Sequence, residues 1–159
     1  MALGHKRNAG FSLVESIVAM AILTMVYMAV FKIFSNQKFA VARVELTTKA
    51  IFLSQELMNR VVAKNYDENS EPPWTPTASL GLEGDDVFYD DVDDFAGYSN
   101  SSISNFPGFT ETARVFYVSS SGSLDDSIFT ATDFKKIVVT VTHNEIPPIV
   151  LDALISSHY

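Results

Sequence analysis

The pattern of apolar and polar positions changes character along the chain, beginning with a long apolar run. From Phe11 to Phe31 the sequence is predominantly apolar, and Glu15 is its single charged residue. A helix of this length is roughly 30 Å long, which matches the hydrocarbon core of a bilayer. The apolar part of an ordinary cleaved secretory signal is shorter, at about 7–15 residues. We therefore expect residues 11–31 to form a membrane-spanning helix.

The apolar run is followed by an amphipathic pattern. Residues 32–66 contain no glycine or proline, and their apolar positions recur at steps of three and four, which places them on one face of a helix. That face consists of Phe39, Ala42, Leu46, Ala50, Leu53, Leu57 and Val61. We predict that the first helix continues to Tyr66 and packs this face against a core.

Strand patterns occupy the last third of the chain. Three segments are rich in β-branched and aromatic residues. They are residues 112–119, 135–143 and 149–156. In the middle segment Ile137, Val139 and Val141 lie on one face, and residues 144–148 are expected to connect it to the next strand. The predicted fold class is α+β, with a long N-terminal helix packed by a small antiparallel sheet.

An acidic stretch lies between the helix and the strands. Residues 83–94, EGDDVFYDDVDD, hold seven carboxylates. Calcium takes about six to eight oxygen ligands, so Asp90, Asp91, Asp93 and Asp94 are candidate ligands. The stretch departs from an EF-hand loop in its glycine position and in lacking the closing glutamate. We expect a solvated acidic loop, with calcium binding as the alternative. The proline-flanked Trp74, in the preceding loop, is expected to pack against the head rather than to bind a ligand.

Composition narrows the function classes. The net charge of −8 argues against a nucleic-acid partner, because such proteins need basic surfaces to neutralise phosphates. The absence of cysteine excludes disulfides, zinc–thiolate clusters and thiol nucleophiles. The sequence has no nucleophile elbow, no glycine-rich phosphate loop and no histidine pair at metal-binding spacing. We expect no enzymatic activity and, calcium apart, no cofactor.

The junction before the apolar run carries the most specific motif. A short leader that is basic at Lys6 and Arg7 precedes the residues Gly10-Phe11-Ser12-Leu13-Val14-Glu15. This arrangement resembles the prepilin signature of type IV pilins and type II secretion pseudopilins. The resemblance implies that prepilin peptidase cuts after Gly10, that Phe11 becomes the methylated N-terminus, and that Glu15 is the assembly carboxylate.

Glu15 has two readings from physical chemistry. A carboxylate at mid-membrane costs about 2.5–3.5 kcal/mol on insertion scales, and a shallow position near the headgroups would reduce that cost. Alternatively, Glu15 pairs with the new terminal amine of a neighbouring subunit, since each charge is costly when left alone in an apolar setting. The resemblance favours the second reading.

The resemblance also implies location and partners. Residues 1–10 would be the removed leader, residues 11–31 the transmembrane and filament-core helix, and residues 32–159 the amphipathic helix and soluble head. The chain would cross the bacterial inner membrane once, in contact with lipid, with its head in the periplasm. It would then join a pilus or pseudopilus. Its partners would be other pilins or pseudopilins, prepilin peptidase and the inner-membrane assembly platform.

A second, looser resemblance concerns the rest of the chain. Residues 50–67 (AIFLSQELMNRVVAKNYD), the DDVDDFAGYS and GFT segments and the VVTVT strand resemble minor pilins of the mannose-sensitive haemagglutinin pilus class. Major pilins often carry a C-terminal disulfide loop, which this chain cannot form, so an initiating or tip subunit is favoured. Minor pseudopilins of type II secretion share the neighbourhood of residues 55–58 and remain an alternative. A membrane-anchored binding domain that never polymerises is another.

Overall fold

The chain folds as two compact units in the computed structural model, which describes residues 12–82, 88–120 and 124–157. The division between the units falls between Ala42 and Arg43. We call residues 12–42 the stem and the described residues from 43 to 157 the head. Helix α1, Leu13–Val62, begins in the stem and ends in the head. With a four-stranded antiparallel sheet in the head, the α+β prediction is confirmed.

In the head, α1 buries the C-terminal part of the predicted apolar face. Ala50, Leu53, Leu57 and Val61 are all at most 1 % exposed. Leu46 is half-buried. From Leu46 onwards the helical spacing therefore identified the residues of α1 that pack on the core, whereas Ala42, on the same predicted face, is exposed.

The helix ends at Val62, whereas the sequence pattern predicted an end at Tyr66. Tertiary hydrogen bonds explain the earlier end. The Asn65 carbonyl accepts from the N–H of Val92 at 3.0 Å, and the Tyr66 carbonyl accepts from the Lys135 ammonium at 2.7 Å. Because distant segments bond to these carbonyls, the backbone leaves the helical path.

The sheet consists of four antiparallel strands in the order β1-β2-β3-β4. The strands are β1 (Ser99–Asn100), β2 (Thr110–Tyr117), β3 (Phe134–His143) and β4 (Ile146–Ser156). On β3 the predicted apolar face of Ile137, Val139 and Val141 is fully buried. Its neighbours on β2 complete the inner surface that packs against α1.

Two parts of the strand prediction need correction. Residues 144–148 were expected to be a connection, but β4 already begins at Ile146 and runs through Pro147 and Pro148. An edge strand tolerates proline because one of its sides needs no N–H donors. The short strand β1 was missed, since two residues show no alternation.

Two short 3-10 helices lie in the head, at Thr77–Ser79 and Asp93–Phe95. The second places Phe95 in the core. There Phe95 packs with its neighbour Val92 and with Leu57 and Val61, which belong to the last turns of α1. The acidic segment is thereby anchored against the helix.

Candidate functional site

The start of α1 holds Glu15 in a defined local setting. Ser12 precedes the helix, and its Oγ accepts a hydrogen bond from the N–H of Glu15 at 3.3 Å. Ser12 and Glu15 thus match the S-x-x-E spacing of a capping box, in which the serine satisfies a free N–H of the first turn. The Glu15 side chain is exposed. Gly10 and Phe11, the predicted processing residues, lie outside the described residues.

The apolar run presents its side chains outwards. Large apolar side chains such as Leu23, Met25 and Tyr27 are at least 70 % exposed. By length and composition α1 can cross a membrane: its most apolar window has a mean hydropathy of 2.3 and is 0 % buried. A surface of this kind is stable only in contact with lipid or with other apolar helices.

The acidic segment differs from the expected solvated loop. Asp91, Asp93 and Asp94 are at most 6 % exposed, and only Asp90 among the four candidates is exposed. The Asp94 carboxylate accepts from the N–H groups of Asp90 at 2.8 Å and Asp91 at 3.3 Å. In return, the Asp91 carboxylate accepts from the N–H of Asp94 at 3.2 Å. For residues 88–94 the prediction of a solvated loop was wrong, because these carboxylates fold the segment on itself. Residues 83–87 of the predicted loop lie outside the described residues.

The same contacts bear on the calcium alternative. The oxygens of Asp91 and Asp94 are turned towards main-chain N–H groups, and Asp93 faces a lysine. Within residues 12–82, 88–120 and 124–157, no group of three or more acidic or histidine side chains is arranged to hold a metal ion. The four aspartates therefore do not assemble a calcium site there.

A buried ammonium forms the centre of the head. Lys135, on β3, is 0 % exposed and donates to the Tyr66 carbonyl at 2.7 Å, Asp67 Oδ2 at 3.0 Å and Asp93 Oδ1 at 2.7 Å. Its three N–H donors thus have three acceptors. The amine also lies 4.3 Å from the ring centre of Tyr66 and 5.2 Å from that of Tyr117. We call Lys135, Asp67 and Asp93 the buried ion cluster.

Asp67 connects the buried ion cluster to the loop that follows α1 through further hydrogen bonds. Its carboxylate accepts from the N–H of Thr75 at 3.0 Å, the hydroxyl of Thr75 at 3.1 Å and the N–H of Asn69 at 3.1 Å. The Tyr117 hydroxyl donates to the Thr75 carbonyl at 2.8 Å. One carboxylate thus ties the loop to the sheet.

The electrostatics of the head follow from these contacts. Burial opposes ionisation of Asp67, but the N–H of Thr75 and the Lys135 ammonium together hold its pKa below the usual value. Burial and the neighbouring Asp93 charge raise the pKa of Asp91 to about 7. Burial likewise raises the pKa of Asp94 and of the Tyr117 hydroxyl. The acidic segment thus holds carboxyl groups that ionise less readily than free aspartates.

Trp74 packs against the head near Tyr66, as the sequence predicted. It is 7 % exposed, its indole N–H donates to Asp133 Oδ1 at 2.9 Å, and its ring packs edge-on against Tyr66 at 5.1 Å. Trp74 therefore serves packing.

The sequence analysis did not predict the Ser12–Glu15 cap or the buried ion cluster, although a local pattern indicates part of each. The S-x-x-E spacing of Ser12 and Glu15 is a recognised helix-start pattern. Lys135 has the same strand parity as Ile137, which places it on the apolar face of β3. No local pattern, however, pointed to its partners Asp67 and Asp93.

Comparison with known proteins gives one match. The family model of the prokaryotic N-terminal methylation motif matches residues 5–31. The matched range spans the basic residues, the Gly10–Phe11 junction, Glu15 and the apolar run. No curated protein and no solved structure matches the chain.

Proposed function

We propose that this chain, which carries the N-terminal methylation signal of type IV pilins and pseudopilins, is a minor pilin subunit of a type IV pilus. Prepilin peptidase removes residues 1–10, and the new N-terminal helix enters the filament. The subunit acts in initiation or at the tip. Its role is structural rather than enzymatic. The observation that carries the proposal is the methylation motif at residues 5–31, followed by an apolar helix with a carboxylate in its first turn.

The exposed stem supports assembly through the helix. Its apolar side chains need an apolar environment, which the inner membrane supplies before assembly and neighbouring stems supply afterwards. In that environment the Glu15 carboxylate and the terminal amine of a neighbour are each costly alone and favourable together. Pairing them sets the stagger between adjacent subunits.

Two properties of the head support the proposal that the subunit is present in few copies per filament. It is held together without disulfides by an apolar core and the buried ion cluster. The chain as a whole carries a net charge of −8, and identical acidic heads repeated along a filament would repel one another. A minor pseudopilin of a type II secretion system has the same N-terminal motif and is the second candidate.

Processing is the direct test. When the full chain is coexpressed with a prepilin peptidase, we expect the mature protein to begin with N-methylated Phe11 in intact-mass analysis. Gly10→Val should block the cut because a branched side chain crowds the cleaved bond, whereas Gly10→Ala is the matched control with the smallest added group. An uncut wild-type chain, or a cut after Phe31, would refute the pilin reading. Recovery in sheared pili rather than in a pseudopilus would then separate the two candidates.

A further inference from the structure

Strand β4 leaves one side of the sheet open. It is at the end of the strand order, and among the described residues no strand pairs with its outer side. The N–H of Ser157 donates to the Asp133 carbonyl at 3.0 Å, so these two residues, one position beyond the end of β4 and one before the start of β3, form a hydrogen-bonded pair in the same register. Antiparallel bonding alternates along a strand. Ile155 and Ala153 therefore bond to β3, and the main-chain groups of Leu154 and Asp152 point away from it.

The two halves of this edge differ. Pro147 and Pro148 have no N–H, so the first half of β4 cannot offer a full row of donors. From Val150 onwards every residue has an N–H, and Leu154 is 46 % exposed. Proline is one of the means by which proteins protect an edge strand against pairing. The second half of β4 lacks that protection.

A cavity adjoins the unprotected half. It has a volume of about 440 Å³ and lies between the segment after α1 and the end of β4. Its lining residues are Val62, Lys64, Tyr66, Leu154, Ile155 and Ser156. Three of the six are aliphatic, and Lys64 is the only charged residue among them. The lining thus offers aliphatic side chains beside polar groups, and the cavity suits a side chain with an apolar part and a carboxylate close to Lys64.

We propose that the second half of β4 and this cavity bind an extended segment of a neighbouring pilin-type subunit, which joins the sheet as an added strand. An extended peptide satisfies the outward N–H and C=O groups of β4, and an adjacent cavity selects its side chains. An apolar residue of the added segment lies against Val62 and Ile155, and a carboxylate beside it faces Lys64. The inference rests on the proposed function, because the filament is what brings a neighbouring subunit to this edge.

The main-chain geometry allows a sharp test in the full-length chain. Leu154→Pro removes an N–H that points away from β3, so the β3–β4 bonds remain, whereas Leu154→Ala keeps the N–H and shortens the side chain. We expect Leu154→Pro to be cleaved normally and to lower incorporation into sheared filaments at least about tenfold, with a smaller loss for Leu154→Ala. Lys64→Glu should also lower incorporation, because it reverses the charge in the cavity. Thermal melting of each variant in detergent checks that the head is folded.

Crosslinking identifies the occupant. A photoreactive benzoylphenylalanine at position 154 should crosslink to a segment of another pilin-type subunit in filaments. The same group at Leu124, which is 45 % exposed against 46 % for Leu154, is the matched control. Crosslinks to lipid, or between the β4 strands of two copies, would overturn the inference, as would equal yields at the two positions.

The two failures are distinguishable. If the wild-type chain is neither cleaved nor found in filaments, the proposed function is wrong. If it is found there and folded Leu154→Pro and Lys64→Glu are incorporated at wild-type levels, only the added-strand inference is wrong.

Discussion

The same apolar residue types are exposed in the stem and buried in the head. Leu23 in the stem is 73 % exposed, whereas Leu57, on the same helix but in the head, is 0 % exposed. Burying a leucine side chain is worth about 1.5–3 kcal/mol. The head gains this energy within its own unit, whereas the stem can gain it only from an apolar environment such as lipid or other apolar helices. The difference indicates that the stem needs an apolar environment outside its own unit, while the head buries its apolar side chains itself.

The stem and the head also differ in how their charged side chains are paired. Lys135 is fully buried and has its carboxylate partners, Asp67 and Asp93, within the head. In the part of the chain that the structure describes, no ion pair involves the Glu15 carboxylate. The head neutralises its buried charge by folding. Under the proposed function, the stem carboxylate pairs with the terminal amine of a neighbouring subunit.

Removing the stem carboxylate should have the largest effect. We expect Glu15→Ala to be inserted and cleaved normally but to lower recovery in sheared filaments by about 100-fold or more, because loss of one member of a buried pair costs about 3–5 kcal/mol. Immunoblotting of sheared filaments measures this. Glu15→Asp should fall between, since its carboxylate is one methylene shorter.

A glutamine variant separates pairing from capping. Glu15→Gln retains the residue type that a capping box accepts at this position but lacks the charge. If the carboxylate pairs with a neighbour's amine, Gln should fail nearly as completely as Ala. Wild-type incorporation of Glu15→Gln would show instead that the residue serves the start of the helix.

Removing the head's buried ammonium should have the next largest effect. Lys135→Met leaves Asp67 and Asp93 facing each other without a cation, which we expect to destabilise the head by about 3–5 kcal/mol. Its neighbour Lys136 bridges the exposed side chains of Asp125 and Asp152 and provides the matched control. Lys136→Met should destabilise the head much less than Lys135→Met, because the two carboxylates it leaves unpaired are exposed to water. Thermal or urea unfolding of the full chain in detergent measures both, and equal losses would contradict a special role for Lys135.

The sequence predicted the features that arise from local spacing. Helical steps identified Leu53 and Leu57 as core residues, and strand alternation identified Ile137 and its face. The ion cluster could not be predicted in this way, because Lys135 meets an aspartate 68 positions away and another 42 positions away. Acidic composition suggested solvation of the segment around Asp93, whereas a single distant lysine and a few N–H groups account for its burial.

The same substitution in both units tests the contrast between stem and head directly. Leu57→Ala removes a side chain that packs with Val61 and the sheet, and we expect a loss of about 2–5 kcal/mol in the unfolding free energy. Leu23→Ala removes an exposed side chain and should leave head unfolding unchanged. Unfolding followed by the fluorescence of Trp74, the single tryptophan of the chain and a buried residue of the head, reports on the head. A similar loss for both variants would show that the stem is part of the folded core.

Per pH unit, the smallest expected effect is a pH dependence of the head. In the folded head burial and the Asp93 charge raise the pKa of Asp91 from 3.8 to about 7, so between these values the folded chain holds a proton that the unfolded chain has released. Head stability should therefore fall as pH rises through this window and level off above it, by up to about 1.4 kcal/mol per pH unit for the proton on Asp91, and the raised pKa of Asp94 acts in the same sense. The lowered pKa of Asp67 acts in the opposite sense but only below its usual value of 3.8. Melting temperatures between pH 5 and 8 measure the trend, and Asp91→Asn, which stays neutral, should flatten it. A wild-type melting temperature that rises across this range relative to Asp91→Asn would contradict the assignment of the proton to Asp91.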